Sequence, residues 1–338
     1  MRTMAKWYKD IGTNGDVVLS TRVRLARNIR GIPYPNKMTS DQAKKVVDTV
    51  DEALGLISLK FTHINISNAS KTELSKLIEE HYISPNLVKS TIPSAAFISE
   101  DENVSIMVNE EDHIRLQSIV AGFDTKKAYE SLLKLDDYLA DRLEYAVSEK
   151  YGHLTTCLTN AGTGMRVSCM MHLPAIVECG IADKLFAAIG KLGLTVRGMY
   201  GEGTKSAGNI YQISNQITLG RSEAELIDNL ERTVRQIIEK EYSLREKLAE
   251  KNGIILEDRI MRTYGILKNA RVMQSKELMS LLSNLRIGIA NSMIKDITST
   301  DVNTLMVETT PPFLNGSHLE RDAERARIVR EKLNQSTH

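Results

Sequence analysis

Two rhythms of apolar and polar positions divide the chain. Up to about residue 215, short runs of period two alternate with stretches of helical period. Val104-Ser105-Ile106-Met107-Val108 alternates and is rich in β-branched residues, so it predicts a strand; Ala95–Ser99 precedes it across the turn at 100–103. Residues 16–19 predict a short buried strand leading into Ser20–Asn28, and Phe61–Ile66, Arg166–Leu173, a stretch starting at Thr195, and Asn209–Asn215 add others. Helical stripes are predicted over 41–54 (Ala43, Val46, Val47, Val50, Leu54), 71–81, 125–150 and 181–192. After His113, Ile114, Ile119 and Val120 suit a short helix or turn. Beyond Gly220 strand patterns stop. Ser222 with Glu225 forms a capping box, and Leu226, Leu230, Val234, Ile237 and Leu248 form a stripe ending at Gly253. Two or three more helices follow, through 275–289 and 319–333. A domain boundary is therefore expected near 220, with a mixed unit over 1–220 and a helical unit over 221–338.

Composition narrows the class. The 338 residues suit one large or two ordinary domains. A net charge of +1 provides no global positive field, which argues against a general nucleic-acid binder. Three cysteines (Cys157, Cys169, Cys179), none in CxxC spacing, disfavour zinc and structural disulfides. The start has no signal-peptide pattern and no stretch has the apolar length of a membrane span, so a soluble, cytoplasmic protein is expected.

Chemistry concentrates in a few polar segments. Asn109-Glu110-Glu111-Asp112-His113-Ile114-Arg115 puts three acids at the end of a predicted strand. Such a cluster is either a solvated turn or a carboxylate handling a cationic, proton-bearing substrate. Arg22 and Arg24, two apart on an extended segment, share one face. They suit a polyphosphate, or else the charged outer side of an edge strand. Leu154 to Ser168, which contains Cys157, is a polar, Gly-punctuated loop between two predicted strands and no Walker A loop, because the Gly-Lys-Ser/Thr ending is missing. The Cys157 thiol is either activated by its surroundings or simply packed. His81 ends a predicted helix, as a cap on its carbonyls or as a ligand contact. Arg197-Gly198-Met199-Tyr200-Gly201-Glu202-Gly203 runs from a strand into a glycine-rich loop suited to closing over a ligand. Arg22, Arg24, Arg115, Arg166 and Arg197 all lie beside predicted strand ends, and an arginine cage is one way to neutralise a triphosphate. A carboxylate beside it, Glu111, suits a guanidinium acceptor, which it attracts and deprotonates.

Ser-Thr-Arg-Val-Arg (20–24), Asn-Glu-Glu-Asp-His-Ile-Arg (109–115), Cys-Leu-Thr-Asn-Ala-Gly-Thr-Gly-Met-Arg (157–166) and Val-Arg-Gly-Met-Tyr-Gly-Glu (196–202) together resemble the phosphagen (ATP:guanido) kinase family, over about residues 15–220. Within it the resemblance is greatest to the bacterial branch acting on arginine in proteins. The resemblance implies an α+β fold: a catalytic domain with an antiparallel sheet flanked by helices, then an α-helical C-terminal domain. It implies ATP with Mg²⁺, the nucleotide held by Ser20, Thr21, Arg22, Val23, Arg24, His81, Arg115, Arg166, Val167, Ser168, Cys169, Met170, Arg197, Gly198, Met199, Tyr200, Gly201 and Glu202, and no protein metal ligand. Glu111 is implied as the catalytic carboxylate, with Cys157 and Glu202 at the acceptor guanidinium. Creatine-type kinases carry a helical domain ahead of the first motif, which here begins at Ser20, so an acceptor side open to a polypeptide is expected.

The helical region carries Arg321-Asp322-Ala323-Glu324-Arg325-Ala326, which by resemblance binds phosphoarginine and stimulates activity. Arg321 and Arg325, four apart, share a helix face suited to a phosphoryl group, or else belong to a solvated helix with Glu320 and Glu324. The resemblance also implies a homodimer, an activator protein, a heat-shock transcriptional repressor as substrate and a Clp-type ATPase downstream, without direct nucleic-acid or membrane contact. Leu158 replaces the family's usual proline, Tyr200 stands where small-guanidine kinases have an arginine, and Lys205 stands near where many relatives have an acid. The alternatives are a kinase of free arginine or another small guanidine, and a non-catalytic phosphoarginine-binding adaptor.

Overall fold

The computed structural model describes residues 6–199 and 206–335. In chain order the strands are β1 (Val18–Arg27), β2 (Phe61–Asn65), β3 (Ala95–Ser99), β4 (Val104–Val108), β5 (Ile114–Ala121), β6 (Val147–Ser148), β7 (Gly152–His153), β8 (Met165–His172), β9 (Leu194–Gly198) and β10 (Ile210–Asn215). The helices are α1 (Ser40–Gly55), α2 (Lys71–Glu79), α3 (Pro85–Val88), α4 (Thr125–Ala140), α5 (Pro174–Glu178), α6 (Ala182–Lys191), α7 (Glu223–Asn269), α8 (Ser275–Ala290), α9 (Ser299–Glu308) and α10 (His318–Gln335). Among the described residues one sheet has eight strands in the order β2-β3-β4-β5-β1-β8-β10-β9, with every neighbouring pair antiparallel. This is the α+β architecture that the motifs imply.

Side chains alternate across this sheet. Val23, Leu25, Ile106, Ile114, Leu116, Val167, Met171 and Ile213 point to one side, where α1, α4 and the first half of α7 bury them. Arg22, Arg24, Arg115, Gln117, Arg166, Ser168, Gln212 and Arg197 occupy the alternate positions and so share the other side. The apolar face fixes the strand register, since a one-residue slip would exchange the two sets.

Four expectations need correction. The segment after His113 is not a helix or turn but β5, whose Ile114, Leu116 and Val120 alternate into the core. β1 is no edge strand, because β5 and β8 flank it. The helix expected over 125–150 ends at Ala140. Residues beyond it bond across to the chain after β1, Arg30 N–H to Glu144 O at 2.7 Å and Ala146 N–H to Asn28 O at 2.7 Å. This pairing overrides a helical preference that is weak by comparison. The helix after Ser222 does not stop at Gly253: α7 kinks at Asn252 (φ −133°, ψ 32°) and continues to Asn269. Its first half, through Leu248, packs under the sheet. Its second half, from Leu256, packs with α8, α9 and α10. The expected boundary at 220 falls on the turn before α7, whereas the change of core falls at the kink.

One buried ion pair braces the sheet. Arg27, at the end of β1, donates from Nε to both oxygens of Asp136 (3.0 and 3.1 Å) and from Nη2 to Oδ2 at 2.6 Å. Its Nη1 donates to Ala26 O and Thr163 O, both at 2.9 Å, so it also ties the 157–164 loop to β1. Gly164 (φ +65°) passes so close that a Cβ would lie 2.6 Å from Nη1, which requires glycine there. Asp136→Ala removes the nearer counter-ion of this buried guanidinium, leaving only Glu223 at 3.9 Å, and should cost about 3 kcal/mol in denaturant unfolding. The double variant Arg27→Met/Asp136→Leu should recover most of that loss.

Candidate active site

The polar face of the sheet concentrates positive charge. Arg24 and Arg166 are direct cross-strand partners between β1 and β8. Arg22 lies two residues along β1 and Arg115 is on β5, the other neighbour. Like charges placed opposite one another destabilise a sheet. Burial and the neighbouring guanidiniums of Arg166 and Arg115 push Arg22 down to about 10. Arg24 is driven further below its ordinary value by burial and by Arg22, Arg115 and Arg166, with Glu110 opposing. Burial, Arg197 and Arg115 lower Arg166, which donates to Ser214 Oγ at 2.9 Å. Arg197 is exposed at the rim. The Nε of Arg24 is buried without a hydrogen-bond partner. A shell of cations that crowd one another, with a donor left over, fits a multiply charged anion such as a polyphosphate.

A pocket opens beside the shell, lined by Ser20, Arg22, His81, Ser168, Met170 and Met199 among others. His81 resolves its two readings in an unforeseen way. Its backbone, at φ +65°, closes a Schellman cap: His81 N–H bonds Ile78 O at 3.0 Å and Tyr82 N–H bonds Leu77 O at 2.9 Å. The ring is left for the pocket. Burial, Arg22 and Arg24 push its pKa down to about 3, so the imidazole is neutral.

The acidic turn divides its labour by position. Asn109 (φ 60°) makes the bend, its amide donating to Ala43 O and Pro93 O, both at 2.8 Å. Glu110 is buried and clamps Arg115 at 2.7 Å while accepting from Ser84 Oγ at 2.6 Å. Glu111 pairs with Arg115 at 2.9 Å, yet its side chain keeps 40% of its exposure, so a carboxylate faces outward at the edge of the shell. Asp112 Oδ1 accepts from Asn28 Nδ2 and from the backbone N–H of Thr156, both at 2.7 Å. His113 accepts the Ile29 N–H on Nδ1 at 3.0 Å, which leaves Nε2 to donate to Pro33 O at 2.8 Å. The residue after Glu111 therefore holds the residue before Cys157, and the two segments sit side by side. The Cys157 thiol is half-buried, 3.0 Å from Thr159 Oγ1.

Several expected positions are placed differently. Thr21, Val23, Val167 and Cys169 alternate to the apolar side and can offer a ligand on the polar face only backbone. The Thr21 hydroxyl donates to Gly122 O at 2.7 Å, and burial pushes the Cys169 thiol up to about 12. Gly198 pairs with Tyr211 on β10, and Met199 lines the pocket. Tyr200, Gly201, Glu202 and Lys205 lie outside the described residues. On α10, Arg321 and Arg325 do not form an open pair. Arg325 is 2% exposed and donates to Thr309 O (2.9 Å), Met273 O (2.8 Å) and Asp322, because Ala326 and Val329 draw that side of the helix into the core. Arg321 is half-buried and bonds His318; Asp322 accepts the Met273 N–H on its backbone oxygen; Glu324 pairs with Arg327. Residues of this neighbourhood not singled out from sequence include Gln117 and Gln212 on the polar face and Glu110, Asn28 and Ser84 around the acidic turn. The period-two pattern of 114–120 was the available signal for Gln117.

With this geometry in view, comparison with known proteins is decisive. A profile of the ATP:guanido phosphotransferase C-terminal catalytic domain matches residues 42–244. The chain belongs to the ATP:guanido phosphotransferase family. Kinases of this family use ATP. Residues 253–338 match the C-terminal domain of protein-arginine kinase McsB. A "Protein-arginine kinase" of Clostridium novyi (strain NT) is 44% identical over 98% of both chains. One from Bacillus subtilis (strain 168) is 42% identical over 98% of this chain and 93% of its own. Among solved structures, a lombricine kinase aligns with a TM-score of 0.62 at 24% identity over 73% of each chain. The duplicated taurocyamine kinase of Schistosoma mansoni aligns at 0.64 and 23%, covering 82% of this chain and 41% of that one. At that identity these two show a shared fold.

Arg24→Gln removes one of the crowded cations. The ligand-free variant should melt at a higher temperature than the parent, while calorimetry should show affinity for a nucleoside triphosphate weakened at least about tenfold. A lower melting temperature with unchanged affinity would contradict the anion-shell reading.

Proposed function

We propose that the protein transfers the γ-phosphoryl group of ATP to arginine side chains of proteins. The observation that carries this is the crowded guanidinium face of Arg22, Arg24, Arg115 and Arg166 with Glu111 held at its edge by Arg115. In this reading the arginines gather the triphosphate and offset charge on the transferring group. The unpartnered Arg24 Nε and the neutral His81 ring suit a polyanion with hydrogen-bonding oxygens. Mg²⁺ accompanies the nucleotide and screens its phosphate oxygens when bound.

Glu111 attracts the acceptor guanidinium and takes its proton as the N–P bond forms and the bond to the β-phosphate oxygen breaks. Glu202 is proposed as the second carboxylate at the acceptor. Cys157, kept near Glu111 through Asp112 and Thr156, contributes polarity beside the guanidinium. The acceptor class rests on near full-length similarity to proteins named protein-arginine kinase.

The finer roles are proposals of the same reading. Residues 1–220 carry catalysis. Residues 221–338 serve dimerisation and phosphoarginine binding, with Arg321 as the accessible cation of the 321–326 stretch. A cytoplasmic setting, an activator protein, a heat-shock repressor substrate and delivery to a Clp-type ATPase complete it. Among the described residues no helix is long and apolar enough to cross a membrane. Specific similarity gives no support to the free-guanidine kinase over this reading, and the exposed Glu111 gives none to a purely adaptor role.

Glu111→Ala should lower phosphoryl transfer to an unfolded basic protein by about 10²–10⁴-fold while ATP still binds. Acid-labile phosphorylation, followed by mass spectrometry beside a panel of free guanidines, measures both the loss and the acceptor class. Parent-like turnover in the variant would refute the role given to Glu111.

A further inference from the structure

We infer that Trp7 is a positioning residue for His81: its indole backs the histidine and holds the ring toward the nucleotide pocket. This rests on the nucleotide reading of the site and adds a residue to it.

His81 sits at the helix C′ position, where the left-handed backbone favours glycine because it has no Cβ. A histidine there is conformationally costly unless neighbours hold it. Its Nε2 is buried and has no hydrogen-bond partner, although the ring lines the same pocket as Arg22, Ser20 and Ser168. A buried polar atom left without a partner points to a ligand that completes it.

Trp7 holds this turn in two ways. The indole stacks on the imidazole, ring centres 5.3 Å apart and planes 28° from parallel. Its Nε1–H donates at 3.0 Å to the carbonyl of Glu80, the residue before His81. On the other side, Gln117 Nε2 donates to His81 O at 2.6 Å. Gln117 stands on the arginine face two residues from Arg115, so the histidine is held between the N-terminal turn (Lys6–Tyr8) and that face. Trp7 is itself 1% exposed, and the pocket lining includes His81 but not Trp7. The imidazole stays uncharged among cations, so it can accept or donate a hydrogen bond without adding to their repulsion.

The test uses the full chain with ATP, Mg²⁺ and an unfolded basic protein as acceptor, in the parent, Trp7→Phe, Trp7→Leu, His81→Ala and the double variant Trp7→Leu/His81→Ala. Losing the stack should raise the KM for ATP about tenfold in Trp7→Leu, with kcat within about twofold of the parent. Trp7→Phe, which keeps a ring and most of the core volume, should raise it about two- to threefold. Once His81 is gone, Trp7→Leu should add less than about twofold, since the two act as one unit. Multiplicative effects, or a fall in kcat at unchanged KM, would show a general packing role and overturn the inference.

A second readout needs no variant at position 7. Trp7 is the single tryptophan of the chain, so its emission should change on adding ADP with Mg²⁺ to the parent and stay flat in His81→Ala at saturation. Emission that stays flat in the parent while calorimetry records binding also overturns it. Failure of ATP to bind the parent at all would instead strike the functional reading beneath.

Discussion

Repulsion among like charges, held in place by an apolar face, is the constraint on which this structure depends. Arg22, Arg24 and Arg166 crowd one side of β1 and β8, and among the described residues no ion pair holds any of the three. What keeps them there is the other side of the same strands. Val23, Leu25, Val167 and Met171 are fully or nearly fully buried among α1, α4 and α7. Because side chains alternate, sealing one face presents the other, and the core's hydrophobic stabilisation offsets the electrostatic cost. The face is thus strained in charge, a strain that a bound anion would relieve.

The turn 109–115 shows how a short motif can serve several purposes. Only Glu111 of its acids stands partly exposed; Glu110 and Asp112 are buried and spent on holding neighbours. Asp112 reaches the cysteine loop, His113 reaches the chain after β1, and Asn28 ties both back to the end of β1 through Asp112 Oδ1 at 2.7 Å and His113 N–H at 2.8 Å. Arg27 adds the Thr163 carbonyl of the same loop. The strand that carries Arg22 and Arg24 therefore also carries the pins that bring the 157–164 loop alongside. Displacing one segment displaces the others, which is how geometry tighter than any single side chain is kept.

Much of this was legible from the sequence, for identifiable reasons. Arg22 and Arg24 could be put on one face because period two survives any error in strand ends. The motifs, taken together, named the family that the comparisons show. Other parts were not legible. The centrality of β1 is a matter of strand order, and no local pattern carries that. The early end of α4 depends on Glu144 and Ala146 bonding residues more than a hundred positions away. The alternation sends the side chains of Thr21, Val23, Val167 and Cys169 inward, so continuous motifs over 20–24 and 166–170 offer only backbone at those positions. Arg325 looked like a surface partner of Arg321 by spacing, but which side of α10 is buried depends on what packs there. His81 looked like a cap or a ligand contact; its backbone makes the cap, while its ring lines the pocket.

The order of strands has one more consequence. β1 is among the first elements made, yet its partner β8 lies far along the chain, as in the approach of Thr21 to Cys169 across 148 positions. Contacts of such separation form late because a long loop must close before they are rewarded. A chain lacking β8 keeps Arg22, Arg24 and Arg115 but has neither Arg166 nor the strand that flanks β1 on that side. The fold thereby leaves the charged face incomplete until distant parts of the chain have met.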